Sequence, residues 1–201
     1  MVIIGLTGNI GTGKSTVAGI LVDLGSAHIE ADSIGHELLL SRGSVYTAVL
    51  SAFGKDIAGT AGQIDRQKLG KLVFSDLSAR ERLNAIMHPA IQEEAKRRID
   101  DYRTNGEKAV VLEAALLYEA GWESMVDQIW VTYASYETAV QRVKTYRGMS
   151  EDDALSRLQT QMSMREKMQK ADVVIDTDCS VEELRKRVET SWRQLITPSL
   201  G

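Results

Sequence analysis

The sequence predicts an α/β fold in which helices flank a five-stranded parallel sheet. Short runs rich in β-branched residues alternate with helical patterns along the 201 residues. This order is typical of a parallel sheet covered by helices. The composition, 43% hydrophobic and 26% charged, is that of an ordinary globular protein and excludes disordered, collagen-like and coiled-coil chains. The length fits one domain, or one core that carries an insertion.

The core begins with a strand, a helix and a second strand. The apolar run Val2–Thr7 predicts a buried strand. Lys14–Leu24 predicts a helix, because its apolar residues recur at helical spacing and Gly25 lies just past its end. Ala27–Glu30 predicts a second, short strand that stops before Asp32. In a doubly wound order, this second strand would lie beside the first.

Three further strands and a closing helix complete the predicted core. The strands are Ala109–Leu112, Gln128–Tyr133 and Val173–Asp176. Ser180–Leu195 predicts the helix, because its apolar residues recur at helical spacing and acidic residues lie near its start, where the helix dipole favours them.

Two segments interrupt the core. Between the second and third strands the sequence shows no strand pattern. Four helices are predicted there: Ile34–Leu40, Val45–Phe53, Gln67–Phe74 and Ala79–Tyr102. The second segment, Glu137–Lys170, is helical with few large apolar side chains, which suits a mobile flap. Its basic residues include Arg142, Lys144, Arg147, Arg157, Arg165 and Lys167. We therefore predict a core of residues 1–31, 108–136 and 171–201, a helical insertion of residues 32–107, and a lid of residues 137–170.

Charge and cysteine content limit the partners and the location. Lys and Arg number 24 and Asp and Glu 28, which gives a formal net charge of −4. An acidic chain is a poor candidate for coating nucleic acid. The apolar stretch from Ala109 to Tyr118 is interrupted by Glu113 and falls short of the roughly 20 residues of a membrane span. The single cysteine fits a reducing compartment. We expect a cytoplasmic protein without nucleic-acid or membrane partners.

The segment Gly8–Ser15 reads GNIGTGKS and fits the pattern G-x-x-x-x-G-K-[ST] in full. Glycines let the backbone curl so that its N–H groups face an anion, and the following helix adds its positive dipole end. In such a loop Lys14 reaches the β- and γ-phosphates and Ser15 is a Mg²⁺ ligand. A plain glycine-rich turn is the alternative, but a strand precedes the motif and a helix follows it. The sequence therefore predicts a P-loop NTPase. Its nucleotide-binding residues are Gly11, Thr12, Gly13, Lys14, Ser15 and Thr16.

A P-loop alone does not separate kinases from GTPases and motor ATPases. The Asn-Lys-x-Asp stretch with which GTPases read guanine does not occur in this sequence. A large motor ATPase needs a longer chain. A small kinase remains the favoured class.

Several segments, in order along the chain, resemble the dephospho-CoA kinase family. They are Gly5–Thr16, Glu30–Ile34, Arg66–Leu69 with Val73–Phe74, Leu83–Ile91, Leu116–Glu119, Gln141–Arg142, Ala154–Arg157 with Gln161, and Ala171–Asp176. The chain also departs from the family at five positions. His36 stands where the family usually has Arg, Ala115 for Pro, Thr177 for Asn, Cys179 for Gly, and Tyr146 where a second lid arginine falls, with Arg147 one place later.

The resemblance implies an ATP-dependent kinase that phosphorylates the ribose 3′-hydroxyl of dephospho-CoA, the last step of coenzyme A biosynthesis. Residues 32–107 would then form the acceptor domain. The catalytic residues would be Asp32, Lys14 and Arg142; Arg142, Arg147 and Arg157 would also bind ATP; Asp32, His36, His88 and Leu116 would bind the acceptor. Another small-molecule or nucleoside monophosphate kinase is an alternative. A nucleotide switch without turnover is another, although Asp32 and the lid arginines disfavour it.

Each of these residues also has a structural interpretation. Asp32 precedes a helical pattern, as an N-cap does. The lid arginines also fit solvated helix faces, and His88 fits a helix start. Glu113 ends a strand, where it is either a Walker-B-like acid that holds Mg²⁺ through water or a buried structural carboxylate. Thr177 is a weak candidate for an adenine contact. We expect Mg²⁺ as cofactor, and a monomer or weak homo-oligomer.

Overall fold

The computed structural model describes residues 1–40, 43–59, 62–147 and 161–196; for Arg147 it describes the backbone only. The strands are β1 (Val2–Thr7), β2 (Ala27–Glu30), β3 (Ala109–Glu113), β4 (Gln128–Tyr133) and β5 (Val173–Asp176). The helices are α1 (Lys14–Asp23), α2 (Ala31–Leu40), α3 (Ser44–Phe53), α4 (Arg66–Ser75), α5 (Leu77–Thr104), α6 (Tyr136–Arg147), α7 (Met164–Lys170) and α8 (Val181–Ile196). Lys55–Ile57 and Glu123–Met125 form short 3₁₀ turns.

The five strands form one parallel sheet in the order β2-β3-β1-β4-β5. This confirms the predicted five-stranded parallel sheet with flanking helices. One expectation about it was wrong: β3, rather than β2, lies beside β1. The pairing of Leu6 with Glu113 therefore brings the end of β3 next to the start of the glycine-rich loop.

The central strands are mostly apolar and almost entirely buried because helices and turns cover both faces of the sheet. Every residue of β3 is buried, as is β1 from Ile3 onward, which is the pattern of a parallel sheet covered on both faces. On one face α1 and α8 bury Val17, Leu21 and Trp192 against Trp130. On the other face, an added Cβ at Gly5 would approach Leu117 and Val126. The core therefore fixes the loop between β1 and α1.

The chain divides into two compact units. The first holds Met1–Glu30 and Ile99–Gly201, and the second holds Ala31–Arg98. The predicted insertion of residues 32–107 includes all of the second unit except Ala31 and extends beyond Arg98, where that unit ends. Helix α5 also continues past Arg98, to Thr104. Within the second unit the buried side chains include Ile34, Val49 and Leu69. None of the helices in the part of the chain that the structure describes is long and apolar enough to cross a membrane.

Candidate active site

The glycine-rich loop between β1 and α1 takes backbone angles that only glycine adopts readily. Gly8, Gly11 and Gly13 have φ of 151°, 81° and 82°, in the region that side chains disfavour. Space is limiting as well: a Cβ on Gly11 would lie 2.4 Å from the carbonyl oxygen of Ala139. The loop therefore owes its shape to glycine at these positions and packs tightly against the start of α6.

Thr12 holds this loop from inside. It is buried, its hydroxyl donates to the Asn9 carbonyl at 2.8 Å, and it lies 2.7 Å from the Thr132 hydroxyl on β4. The hydroxyl of Thr12, one of the predicted nucleotide-binding residues, therefore stabilises the loop itself.

A cavity of about 390 Å³ opens above the loop. Five of the predicted phosphate-binding residues line it, together with Arg142: Gly11, Gly13, Lys14, Ser15 and Thr16. Tyr146, Thr177, Cys179 and Val181 also contribute to its lining. The structure therefore brings these six predicted residues together, with apolar and aromatic groups close by in the same cavity.

Two cations lie at this cavity. Lys14 Nζ donates to the carbonyls of Gly8 at 2.8 Å and Asn9 at 3.2 Å. Arg142 donates from Nη1 to the Thr177 hydroxyl at 2.8 Å and from Nη2 to the Thr177 carbonyl at 2.6 Å. Both cations are half-buried and held by hydrogen bonds, so each charge has a defined position at the cavity.

Thr177 links Arg142 to the sheet and to the loop. It is 1% exposed, and its hydroxyl oxygen lies 3.0 Å from each of the carbonyl oxygens of Thr12 and Tyr133. Thr177, the predicted candidate for an adenine contact, lines the cavity, but its hydroxyl is already hydrogen-bonded within the protein. Of the other predicted arginines, Arg147 ends α6 and Arg157 lies outside the described residues.

Ser15, Glu113 and His28 form a chain of hydrogen bonds at the carboxyl edge of the sheet. Ser15 Oγ donates to Glu113 Oε1 at 3.0 Å, and His28 Nε2 lies 3.1 Å from Glu113 Oε2. Burial alone would raise the pKa of Glu113. The hydrogen bonds from His28 and Ser15 and the charge of Lys14 lower the pKa by more than burial raises it, so the net shift is downward. Glu113 is therefore a buried carboxylate, ionised at neutral pH and bonded to the loop serine.

The predicted acceptor residues Asp32, His36 and His88 lie in the second unit. Asp32 is exposed and is the second residue of α2. The N-cap interpretation is therefore wrong, because the helix begins at Ala31. His36 Nδ1 lies 3.0 Å from Arg66 Nη1, and His88 is a half-buried residue of α5. Leu116 belongs to the first unit and lies half-buried in the turn after β3.

The structure adds residues that sequence reasoning missed or misplaced. The sequence counts Lys167 among the lid cations, yet its side chain is 0% exposed and donates to the Ala115 carbonyl at 2.8 Å. Glu119 Oε1 pairs with it at 3.2 Å. Gln161 Oε1 accepts from the loop N–H of Ile10 at 3.1 Å. No pattern around Lys167 signals its burial. The alternation in β2 puts His28 and Glu30 on one face, but it does not show which strand lies beside β2, so the contact of His28 with Glu113 could not be predicted from the sequence.

Comparison with known proteins shows which family this sequence matches. The family model described as dephospho-CoA kinase matches residues 2–183. A dephospho-CoA kinase from Geobacter sulfurreducens is 45% identical over 192 residues, covering 96% of this chain and 98% of the relative.

Two solved structures share the fold over nearly the whole chain. TT1252 from Thermus thermophilus has a TM-score of 0.80 and 32% identity, with 98% of each chain covered. A dephospho-CoA kinase from Campylobacter jejuni has a TM-score of 0.71 and 28% identity, with 96% of each chain covered. With its P-loop core and its match along almost the whole sequence, the chain belongs to the dephospho-CoA kinase family.

Proposed function

We propose that this chain transfers the γ-phosphoryl group of ATP to the ribose 3′-hydroxyl of dephospho-CoA and releases CoA and ADP. The bond between the γ-phosphorus and the β–γ bridging oxygen of ATP breaks as the bond to the ribose 3′-oxygen forms, and that bridging oxygen leaves with ADP. Family membership supports the acceptor. The observation that supports the donor side is the cavity at which the loop glycines, Lys14 and Arg142 converge.

On the donor side, the glycine-rich loop and two cations together bind the phosphates of ATP. The loop N–H groups and the dipole of α1 bind phosphate oxygens. Lys14, held at the loop, neutralises charge on the β- and γ-phosphates. The Arg142 guanidinium, fixed by Thr177, presents its remaining donors to the nucleotide. In this proposal Arg147 and Arg157 are further lid cations within residues 137–170.

Ser15 would hold Mg²⁺ directly, and Glu113 would hold it through a water molecule. Their oxygens are the hard donors that this ion prefers, and Glu113 is buried and ionised. Among the described residues no three His, Cys, Asp or Glu side chains converge to form a metal site. The remaining ligands would therefore be phosphate oxygens and water, as is usual for phosphoryl-transfer enzymes. Bound there, Mg²⁺ offsets the charge that builds up on the phosphate oxygens.

On the acceptor side, we assign the proton acceptor to Asp32. Its carboxylate accepts the 3′-hydroxyl proton or orients that hydroxyl in line with the γ-phosphorus. His36, His88 and Leu116 complete the acceptor site in this proposal, and residues 32–107 form the acceptor domain. A cytoplasmic location, supported by the single cysteine, and a monomer or weak homo-oligomer are also part of it.

An acceptor panel tests the reaction. We expect ADP release from Mg-ATP to require dephospho-CoA, and AMP, CMP, shikimate or no acceptor to give background rates. Turnover with AMP, CMP or shikimate instead would indicate a different small-molecule kinase. Slow ADP release that no acceptor accelerates would indicate a nucleotide switch.

Asp32→Asn tests the catalytic role. It removes the proton acceptor while keeping the shape of the side chain, so kcat should fall about 10²–10⁴-fold with little change in the KM of either substrate. Asp56→Asn, which removes the same charge at an exposed site of the same unit, should leave kcat unchanged. A rise in the KM for dephospho-CoA at constant kcat would make Asp32 a binding residue only.

A further inference from the structure

His28 contacts the candidate magnesium site from an edge strand. It lies on β2 opposite Val111 of β3, so Glu113, two residues further along β3, faces it diagonally on the same side of the sheet. The contact joins His28 Nε2 to Glu113 Oε2 at 3.1 Å. The His28 side chain is 31% exposed and that of Glu113 is 7% exposed. The imidazole thus reaches inward from a half-exposed position to a buried carboxylate.

The ionised state of Glu113 determines the direction of its hydrogen bonds with His28 and Ser15. An ionised carboxylate only accepts, so His28 Nε2 carries the proton in this contact. Ser15 Oγ donates its proton to the other carboxylate oxygen at 3.0 Å. Each Glu113 oxygen therefore has one protein donor. The lone pairs of the Ser15 hydroxyl point away from Glu113 and stay available to a cation.

We propose that His28 is a positioning residue for this site: it holds the Glu113 carboxylate so that Glu113 keeps the Ser15 hydroxyl oriented toward Mg²⁺. The inference rests on the magnesium site of the proposed function. The terminal torsion of a glutamate is broad and selects no single orientation by itself. A donor on Oε2 fixes the carboxylate plane and leaves Oε1 to Ser15. Mutation of partners in this outer position typically lowers metal affinity about 10–100-fold.

A structural bridge between two strands is the competing explanation. Such a bridge would change the stability of the sheet edge without changing how nucleotide binding depends on metal. The two explanations therefore differ in one measurable quantity, the ratio of ADP affinity with Mg²⁺ to ADP affinity in EDTA.

The experiment measures this ratio by titration calorimetry for the full chain and three variants. His28→Leu removes the donor at similar size. His28→Gln keeps an N–H near the position of Nε2. His28→Val suits a strand and serves as a second donor-free variant if His28→Leu does not fold. We expect the donor-free variants to lower the ratio about tenfold or more, with unchanged affinity in EDTA, and His28→Gln to retain it within about threefold.

A double variant tests whether His28 acts through Glu113. Because His28 has no direct part in binding, adding His28→Leu to Glu113→Gln should lower the ratio no further. If folded His28→Leu and His28→Val keep the wild-type ratio, or if the double variant loses a further tenfold, the positioning role is wrong. If the wild-type protein itself shows no preference for Mg²⁺, the magnesium part of the proposed function fails, and the role of His28 fails with it.

Discussion

Thr177 shows how much one hydroxyl does at this site. It accepts from Arg142 and lies within hydrogen-bonding distance of the Thr12 and Tyr133 carbonyls, all at a position with 1% exposure. It therefore connects a cation of the cavity to the loop beneath it. The positions of Arg142 and the loop depend on the same oxygen.

Thr177→Val should weaken both stability and ATP use. The variant removes the hydroxyl that lies 3.0 Å from the Thr12 carbonyl, whereas the Tyr133 carbonyl keeps the backbone N–H of Thr177 at 2.8 Å. Loss of a buried hydrogen bond costs about 1–3 kcal/mol of unfolding free energy, and Arg142 loses one of its two partners. We expect the KM for ATP to rise several-fold in steady-state assays. Thr177→Ser keeps the hydroxyl and is the matched control. An unchanged KM for ATP in folded Thr177→Val would show that the backbone carbonyl alone positions Arg142.

Glu94 predicts a pH dependence in the second unit. Hydrogen bonds from Arg97 are the largest cause that lowers the pKa of Glu94 to about 2, with Arg98 also contributing against the opposing effect of burial. Arg97 and Arg98 donate to its two oxygens at 2.8 Å. A carboxyl whose pKa is lowered on folding stabilises the fold above its unfolded pKa, and this contribution is lost as the pH falls toward the folded value.

We therefore expect Glu94→Gln to lower the unfolding free energy at pH 7 and to flatten its fall between about pH 5 and 2. Urea titrations across this range measure it. Glu93→Gln, at the exposed neighbouring position, should leave the wild-type slope. A wild-type slope in Glu94→Gln would mean that the arginines find other partners.

At the scale of elements, the loop requires glycine at position 11, whereas the helix that follows it has room for a side chain at Gly19. A Cβ on Gly11 would lie 2.4 Å from a backbone oxygen, whereas one on Gly19, in α1, has nothing within 4 Å. Gly11→Ala should therefore distort the loop and abolish measurable ATP binding. Gly19→Ala should raise the unfolding free energy by up to about 1 kcal/mol. Normal nucleotide binding by Gly11→Ala would show that α6 moves aside at little cost.

The sequence predicted most elements because their apolar spacing is local. Its misses occur at polar ends: β3 extends to Glu113 and α2 begins at Ala31, where a charged or polar residue hides the continuation. The order of the strands could not be predicted in this way, because the paths of the crossover connections, rather than local apolar spacing, decide which strands pair. For the same reason the pair between His28 and Glu113 becomes visible only once β2 and β3 are known to be neighbours.

For the whole molecule, nucleotide binding should act as a stabiliser. A ligand at 100 times its Kd adds about 2.7 kcal/mol to the folded state. For a chain of this length that raises Tm by about 5–11 °C. We expect such a rise with Mg-ADP in thermal scans. Lys14→Ala should lose most of it because the cation at the phosphates is gone. An equal rise in Lys14→Ala would place the nucleotide away from the loop.

The register of the central strands also sets an order of events during synthesis. Val2 of β1 pairs with Ala109 of β3 and Ile4 with Gln128 of β4, so β1 has no partner strand until β3 has been made. At the usual rates of translation this wait lasts about 5–20 s. Throughout it an apolar strand stays open to mispairing. Ala31–Arg98, which lie between β1 and β3 and form the second unit, are free to collapse on their own in that interval. The nascent β1 is therefore the place where a chaperone has most to protect.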